Sequence, residues 1–115
     1  MKYIVAGGRD FDDWIRLRDA LCLLLRPGDT VISGTAAGAD RLGEKWATAQ
    51  KELVSLDRMP AEWDKYGKRA GYVRNAAMAA KADGVIVFWD GKSQGTRHMI
   101  DIAMRIGIDL HIYRY

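Results

Sequence analysis

One cysteine, two prolines and two histidines are all that this 115-residue chain has of the residues that most often staple, break or metallate a small fold. A lone cysteine cannot close an intramolecular disulfide, so a disulfide scaffold is excluded and a reducing compartment fits. Cys22 lies in the apolar run Leu21 to Leu25, which reads as the place of a buried small hydrophobe rather than a nucleophile. His98 and His111 are far apart and have no cysteine or carboxylate at ligand spacing, which argues against a zinc site. No stretch approaches the ~18 apolar residues of a membrane span, and no basic and then apolar leader precedes the first strand-like segment. The expectation is a soluble, cytoplasmic protein with no membrane partner. Charge of one sign is lacking too: 18 Lys and Arg stand against 15 Asp and Glu, a net +3 spread through almost every segment. Such a surface mildly favours anions but has no clustered basic stripe for nucleic acid.

What is present is regular alternation. A chain of this length buries roughly two-thirds of its unfolded surface, enough for one real core, and no linker, repeat or low-complexity tract divides it, so residues 1–115 read as one domain. Strand-like runs cover Lys2 to Ala6, Thr30 to Ser33, Leu53 to Arg58, Gly84 to Trp89 and Ile108 to Tyr113. Between them, helical periodicity covers Phe11 to Leu25, Ala39 to Lys51, about Lys68 to Ala82 and about Gly95 to Ile106. Asp10 or Asp12 would cap the first helix, and Arg26-Pro27-Gly28-Asp29 would stop it. Strict alternation predicts a three-layer α/β/α domain of Rossmann-like type. Its five strands would be parallel in the order 3-2-1-4-5, with a ligand crevice at the switch point between strands one and four.

In that topology every strand-to-helix link lies on one edge of the sheet. Those links hold the unusual residues: Gly7-Gly8-Arg9-Asp10, Gly34 to Asp40, Met59 to Gly67 and Asp90 to Thr96. The opposite links, such as Ala82-Asp83 and Gly107, are short and plain. Glycines admit a ligand to main-chain N–H groups, and the helix N-termini that follow supply unpaired donors. Together they predict an electropositive anion pocket, with phosphate its natural occupant. Thr35, Ser93 and Thr96 add hydroxyls, and Arg9 and Arg74 add charge-assisted donors. Asp10, Asp40 and Asp90 read first as helix caps. Trp14, Trp46, Met78, Met99 and Met104 read as packing residues, Trp89 as core or crevice, and Arg41, Lys45, Lys81 and Arg105 as solvated faces.

Familiar motifs fail. No G-x-G-x-x-G follows strand one, and strand two ends at Ser33 rather than at an acid placed for a ribose, so an ordinary NAD site is excluded. Gly91-Lys92-Ser93 imitates the end of a Walker A motif, but its first glycine would have to fall at Ile86. Neither Lys68 nor Lys92 offers a distinctive Schiff-base position for pyridoxal phosphate. No cofactor is implied.

Four segments taken in order resemble the YspA-like, cpYpsA-related branch of the SLOG superfamily, the Rossmann-like relatives of LOG phosphoribohydrolases and the DprA proteins. They are Gly7 to Phe11, Ser33 to Asp40, Pro60 to Trp63 with Gly67 to Asn75, and Phe88 to Gly91 with Gly95-Thr96. The resemblance implies binding or sensing of a nucleotide or nucleotide-derived ligand, ADP-ribose included. The implied site comprises Gly7, Gly8, Arg9, Gly34, Thr35, Gly38, Asp40, Trp63, Arg74, Asn75, Asp90, Gly91, Gly95 and Thr96. Gly7, Gly8, Gly34, Gly38, Gly95 and Thr96 would surround phosphate or ribose, Arg74 and Asn75 would meet it from the third helix, near that helix's start, and Trp63 and Tyr66 would cover a base. The catalytic glutamate of the LOG motif is replaced by Met99, and a thioether neither holds a proton nor stabilises an oxocarbenium ion. Turnover is therefore left open. A phosphoribohydrolase-like N-glycosidase acting on nucleoside monophosphates or ADP-ribose derivatives is the second reading, and a single-stranded nucleic-acid module the third. A homo-oligomer, in the first instance a dimer, is an expectation with no face identified.

Overall fold

The computed structural model describes residues 1–115. Five strands, β1 (Lys2–Gly7), β2 (Thr30–Ser33), β3 (Ser55–Arg58), β4 (Gly84–Trp89) and β5 (Asp109–Arg114), form one sheet in the order β3-β2-β1-β4-β5. All four pairings are parallel, with Ile4 opposite Ile32 on one side and Val85 on the other. The expected fold class, strand order and direction are all found.

The central strands are apolar at consecutive positions because both faces of the sheet are covered. Tyr3 and Val5 of β1 and Ile86 and Phe88 of β4 point to one layer, packing with Leu17, Leu21, Trp46 and Ala47. These belong to α1 (Trp14–Leu24) and α2 (Ala39–Ala49). Ile4, Val85 and Val87 point the other way, onto Met78, Ala79, Met99, Ile100 and Ala103. These come from α4 (Ala70–Lys81) and α5 (Gln94–Ile106), which follow the short α3 (Trp63–Tyr66). Each fully buried aliphatic side chain contributes about 1.5–3 kcal/mol, so the two layers hold the sheet from both sides. No helix is long and apolar enough to cross a membrane.

Several local expectations are corrected. Helix α1 starts three residues later than the periodicity suggested, and its cap is Asp13, whose carboxylate accepts from the Arg16 N–H at 3.1 Å. Neither expected cap serves: Asp10 instead accepts from the Tyr115 hydroxyl, and the Asp12 side chain accepts from no helix N–H. Cys22 is exposed, as is Leu23 beside it: the helix's buried stripe runs through Leu17, Ala20 and Leu21, and these two positions fall off it. Met104 is 68% exposed for the same reason on α5. The helix expected from Lys68 is split. Gly67 takes a left-handed φ of 58°, which ends α3, and a 3-10 turn at Gly67–Arg69 leads into α4. The helical cations Arg41, Lys45, Lys81 and Arg105 are exposed, as expected, and three of them also have partners. Arg41 Nε donates to the Thr35 carbonyl, Lys45 lies 4.4 Å above the Trp14 ring, and Lys81 pairs with Asp57.

Trp46 is 5% exposed, and its indole Nε1 is buried without a hydrogen-bond partner. An orphaned donor costs about 1–3 kcal/mol, close to what a slightly smaller aromatic forfeits in packing. Trp46→Phe is therefore expected to change unfolding free energy by less than about 1 kcal/mol. Chemical denaturation that showed a loss above about 2 kcal/mol would mean that the N–H is satisfied in solution.

Candidate functional site

The parallel sheet delivers the β1–α1, β2–α2 and β4–α5 links to its carboxyl edge, and a cavity of about 440 Å³ opens there. Its floor comes from the end of β1. Gly7 turns so close to β4 that a Cβ would lie 2.3 Å from the Phe88 carbonyl oxygen. Gly8 is the hub: its N–H donates to the Phe88 carbonyl at 3.0 Å, and its own carbonyl accepts from the N–H groups of Phe11 and Ala39, each at 3.2 Å. Three elements that are distant in sequence are thereby tied at one peptide.

Of the residues expected at the site, Gly7, Gly8, Arg9, Asp40, Arg74, Asn75, Asp90, Gly95 and Thr96 line this cavity. Gly34, Thr35 and Trp63 line an adjoining hollow of about 300 Å³, to which Arg9 and Arg74 also contribute. Tyr66 lies apart, in a smaller depression of about 190 Å³ on the far side of Arg74. Two expected residues line neither the cavity nor the hollow. Gly38 packs beneath the Gly8 carbonyl, 2.2 Å from where its Cβ would stand, and Gly91 turns at φ 84° against the Arg114 guanidinium. Both shape the backbone instead. Trp89 goes to the core rather than the crevice: partly buried, it packs against the layer of Met78 and Met99, and its Nε1 donates to the Ser93 carbonyl at 3.1 Å. Arg74 is not at a helix start but in the second turn of α4.

The pocket is not electropositive in its side chains, because Asp10, Asp40 and Asp90 line it together with Arg9 and Arg74. What matters is how each carboxylate is engaged. Asp10 accepts a 2.6 Å hydrogen bond from the Tyr115 hydroxyl, which burial and this bond keep protonated well above the usual phenol range. Asp90 accepts at 2.8 Å from the N–H groups of both Lys92 and Ser93, and these bonds lower its pKa. Asp40 is 5% exposed, and burial pushes it up to about 6 despite the Ala36 N–H and the nearby Arg74. One turn further on, Glu44 goes the opposite way. Burial would raise it, but hydrogen bonds from Ser33 at 2.6 Å and Arg58 at 2.7 Å outweigh that and hold it below the usual range. Glu44 in turn anchors the neighbouring link, since the Ser33 hydroxyl accepts from the Thr35 N–H and Thr35 takes a positive φ of 65°.

The donors converge on the start of α5. Its first helical hydrogen bond runs from Arg97 N to the Ser93 carbonyl, so the N–H groups of Gln94, Gly95 and Thr96 have no main-chain acceptor. The Ser93 and Thr96 hydroxyls lie 3.3 Å apart beside them. On α4, Asn75 is clamped: its Oδ1 accepts from Arg74 Nε at 3.0 Å, and its Nδ2 points to the Gly95 carbonyl and to His98 Nδ1. Arg9 has no ion-pair or hydrogen-bond partner within the protein and stands at the mouth. No cluster of three or more His, Cys, Asp or Glu is placed to hold a metal ion. Sequence reasoning missed Tyr115 and His98 as supports of the site. Tyr115 follows the last strand and His98 holds a position between Thr96 and Met99, and only the tertiary fold brings them to the site.

Comparison with known proteins bears on the whole chain. Gene 61 protein of Mycobacterium phage D29 is 34% identical, over 93% of this chain and 91% of its own length. No solved structure matches. The family model for YAcAr, the YspA, cpYpsA-related SLOG family, matches residues 1–66, which hold the first two glycine links, Gly7 to Asp10 and Gly34 to Asp40. On these grounds the chain belongs to the YspA, cpYpsA-related SLOG family.

Proposed function

We propose that the chain binds or senses a nucleotide or nucleotide-derived small molecule at the carboxyl edge of its sheet. The observation that carries this reading is the start of α5. The partnerless N–H groups of Gly95 and Thr96 and the Ser93 and Thr96 hydroxyls line one cavity with the unpaired Arg9, an arrangement suited to a phosphate group, and Arg74 lines the same cavity. Family membership agrees with a nucleotide-related role. The adjoining hollow with Trp63, 54% exposed, offers a π face to a base. Met99 supports binding without turnover: it is buried to 1% exposure and lines the cavity where the LOG motif has its glutamate, so no carboxylate stands at that point.

Titration calorimetry with AMP, ADP and ADP-ribose is expected to show saturable binding by at least one of them. Arg74→Met, which keeps the stem but removes the charged donors, is expected to weaken that binding at least about tenfold. Silence across the panel at millimolar concentration would end the proposal. Release of free base under stoichiometric protein, followed by chromatography, would replace it with the N-glycosidase reading. A salt-sensitive gel shift with single strands would favour the nucleic-acid one.

A further inference from the structure

Asp40 is the buried carboxylate of the cavity, and the protein leaves half of its hydrogen-bonding capacity unused. Its Oδ2 accepts from the Ala36 N–H at 3.2 Å, and its Oδ1 accepts from no group, although the residue is 95% buried and faces the cavity. Arg74 stands across from it in a matching condition. Nε is spent on Asn75 and Nη1 on the Gly34 carbonyl, while Nη2 donates to nothing in the protein. Both side chains reach the same point above Gly34: a Cβ built there would lie 2.7 Å from Arg74 Nη1 and 2.9 Å from Asp40 Oδ2. Yet they form no ion pair within 4.0 Å, so neighbouring residues of one cavity lining keep an unpartnered acceptor, Asp40 Oδ1, and an unpartnered donor, Arg74 Nη2.

Few groups suit both. A phosphate would meet the Asp40 carboxylate, and an ammonium group would meet the Arg74 guanidinium; each satisfies one side and is repelled by the other. A hydroxyl is donor and acceptor at once, so it gives its proton to Oδ1 and accepts from Nη2. The start of α2 is likewise closed to an anion, because Asp40 sits in its first turn and the Ala39 N–H is already bound to Gly8. The start of α5 has no such acid in its first turn.

We infer that the Asp40–Arg74 end of the cavity is a hydroxyl-recognising subsite that takes the vicinal hydroxyls of a pentose, with the ligand's anionic group directed to the start of α5. The inference rests on the nucleotide reading and narrows it to the ribo series. An Asp40 carboxylate that accepts from the 2′- or 3′-hydroxyl makes a charge-assisted bond in a buried place, and a sugar without those hydroxyls leaves both flanking groups unpaired.

The test is calorimetry at pH 7.5 with AMP and 2′,3′-dideoxy-AMP, on the wild type and on Asp40→Asn. The wild type is expected to bind AMP about ten- to a hundredfold more tightly than the dideoxy compound. Asp40→Asn is expected to bring AMP down to within about threefold of the dideoxy compound, whose own affinity barely moves. Equal binding of the two nucleotides by the wild type overturns the subsite and leaves the nucleotide reading standing; this comparison needs no variant. A preference that survives in Asp40→Asn removes the role of Asp40. Binding of neither nucleotide brings down the nucleotide reading and the subsite with it.

Discussion

Asp40→Asn is expected to be more stable than the wild type at pH 7–8 by about 2–3 kcal/mol, a rise in Tm of roughly 10 °C for a chain of this size. The reason is that folding carries a carboxyl group with an ordinary pKa of 3.8 into a site where burial raises it to about 6. A proton is therefore held more tightly in the folded state than in the unfolded one. The folded state pays no penalty for this group below about pH 4, where both states are protonated. Stability is lost as pH rises through the interval between 3.8 and about 6, and the full penalty persists above it. Asparagine keeps an acceptor for the Ala36 N–H and carries no charge to bury. The gap between variant and wild type should thus be near zero at pH 4 and grow until about pH 7. The charged groups that set the interval are Arg74 and Arg9, which lower the pKa, and Glu44, which raises it. Urea denaturation across this range checks the sign directly: a wild type more stable than the variant at pH 8 would mean that Asp40 is compensated far better than its surroundings indicate. Gain in stability with loss of ribose discrimination would be the usual trade of a binding group held in an unfavourable place.

Gly38→Ala should cost at least about 3 kcal/mol and is expected to leave little folded protein at 37 °C. Two penalties coincide. Gly38 has φ 78°, where a side chain is strained, and the added Cβ would stand 2.2 Å from the Gly8 carbonyl oxygen and 2.7 Å from the Arg9 carbonyl carbon and oxygen. Those are backbone atoms, and the Gly8 carbonyl already accepts from Phe11 and Ala39, so relief means breaking the tie among the β1, β4 and α2 ends. Circular dichroism melts serve as the check, with Gly28→Ala as a control: it too has positive φ, 94°, but open space around it. If Gly38→Ala loses no more than this control, the steric contribution is absent and the tie is looser than drawn.

The architecture was legible because its signals are local and repeated. Apolar runs such as Val85 to Phe88 alternate with amphipathic stretches, and parallel connection then forces the glycine links to one edge. Of the expected residues that line the cavity, Gly7, Gly8, Arg9, Asp40, Asp90, Gly95 and Thr96 follow from that topological step, whereas Arg74 and Asn75 reach it from within α4. Element boundaries were less legible: of the three acids before α1 it is Asp13 that caps, while the Asp10 carboxylate accepts from Tyr115, 105 residues later. The charge of the site was misread as well. Asp40 looks like any acid in a first helical turn, and only the packed structure shows it buried opposite Arg74 with one oxygen idle. Gly38 and Gly91 were placed among ligand contacts since a sequence does not say whether a glycine admits a ligand or another backbone.

Glu44 and Asp40, one turn apart on α2, divide two duties between them. Glu44 secures Ser33 and, through it, the strained Thr35, and its carboxyl is held below the usual carboxylate range. Asp40 is raised to about 6 by burial. Acidification from pH 7 to 5 should therefore reset what the wall of the cleft recognises without slackening the scaffold that gives the cleft its contour.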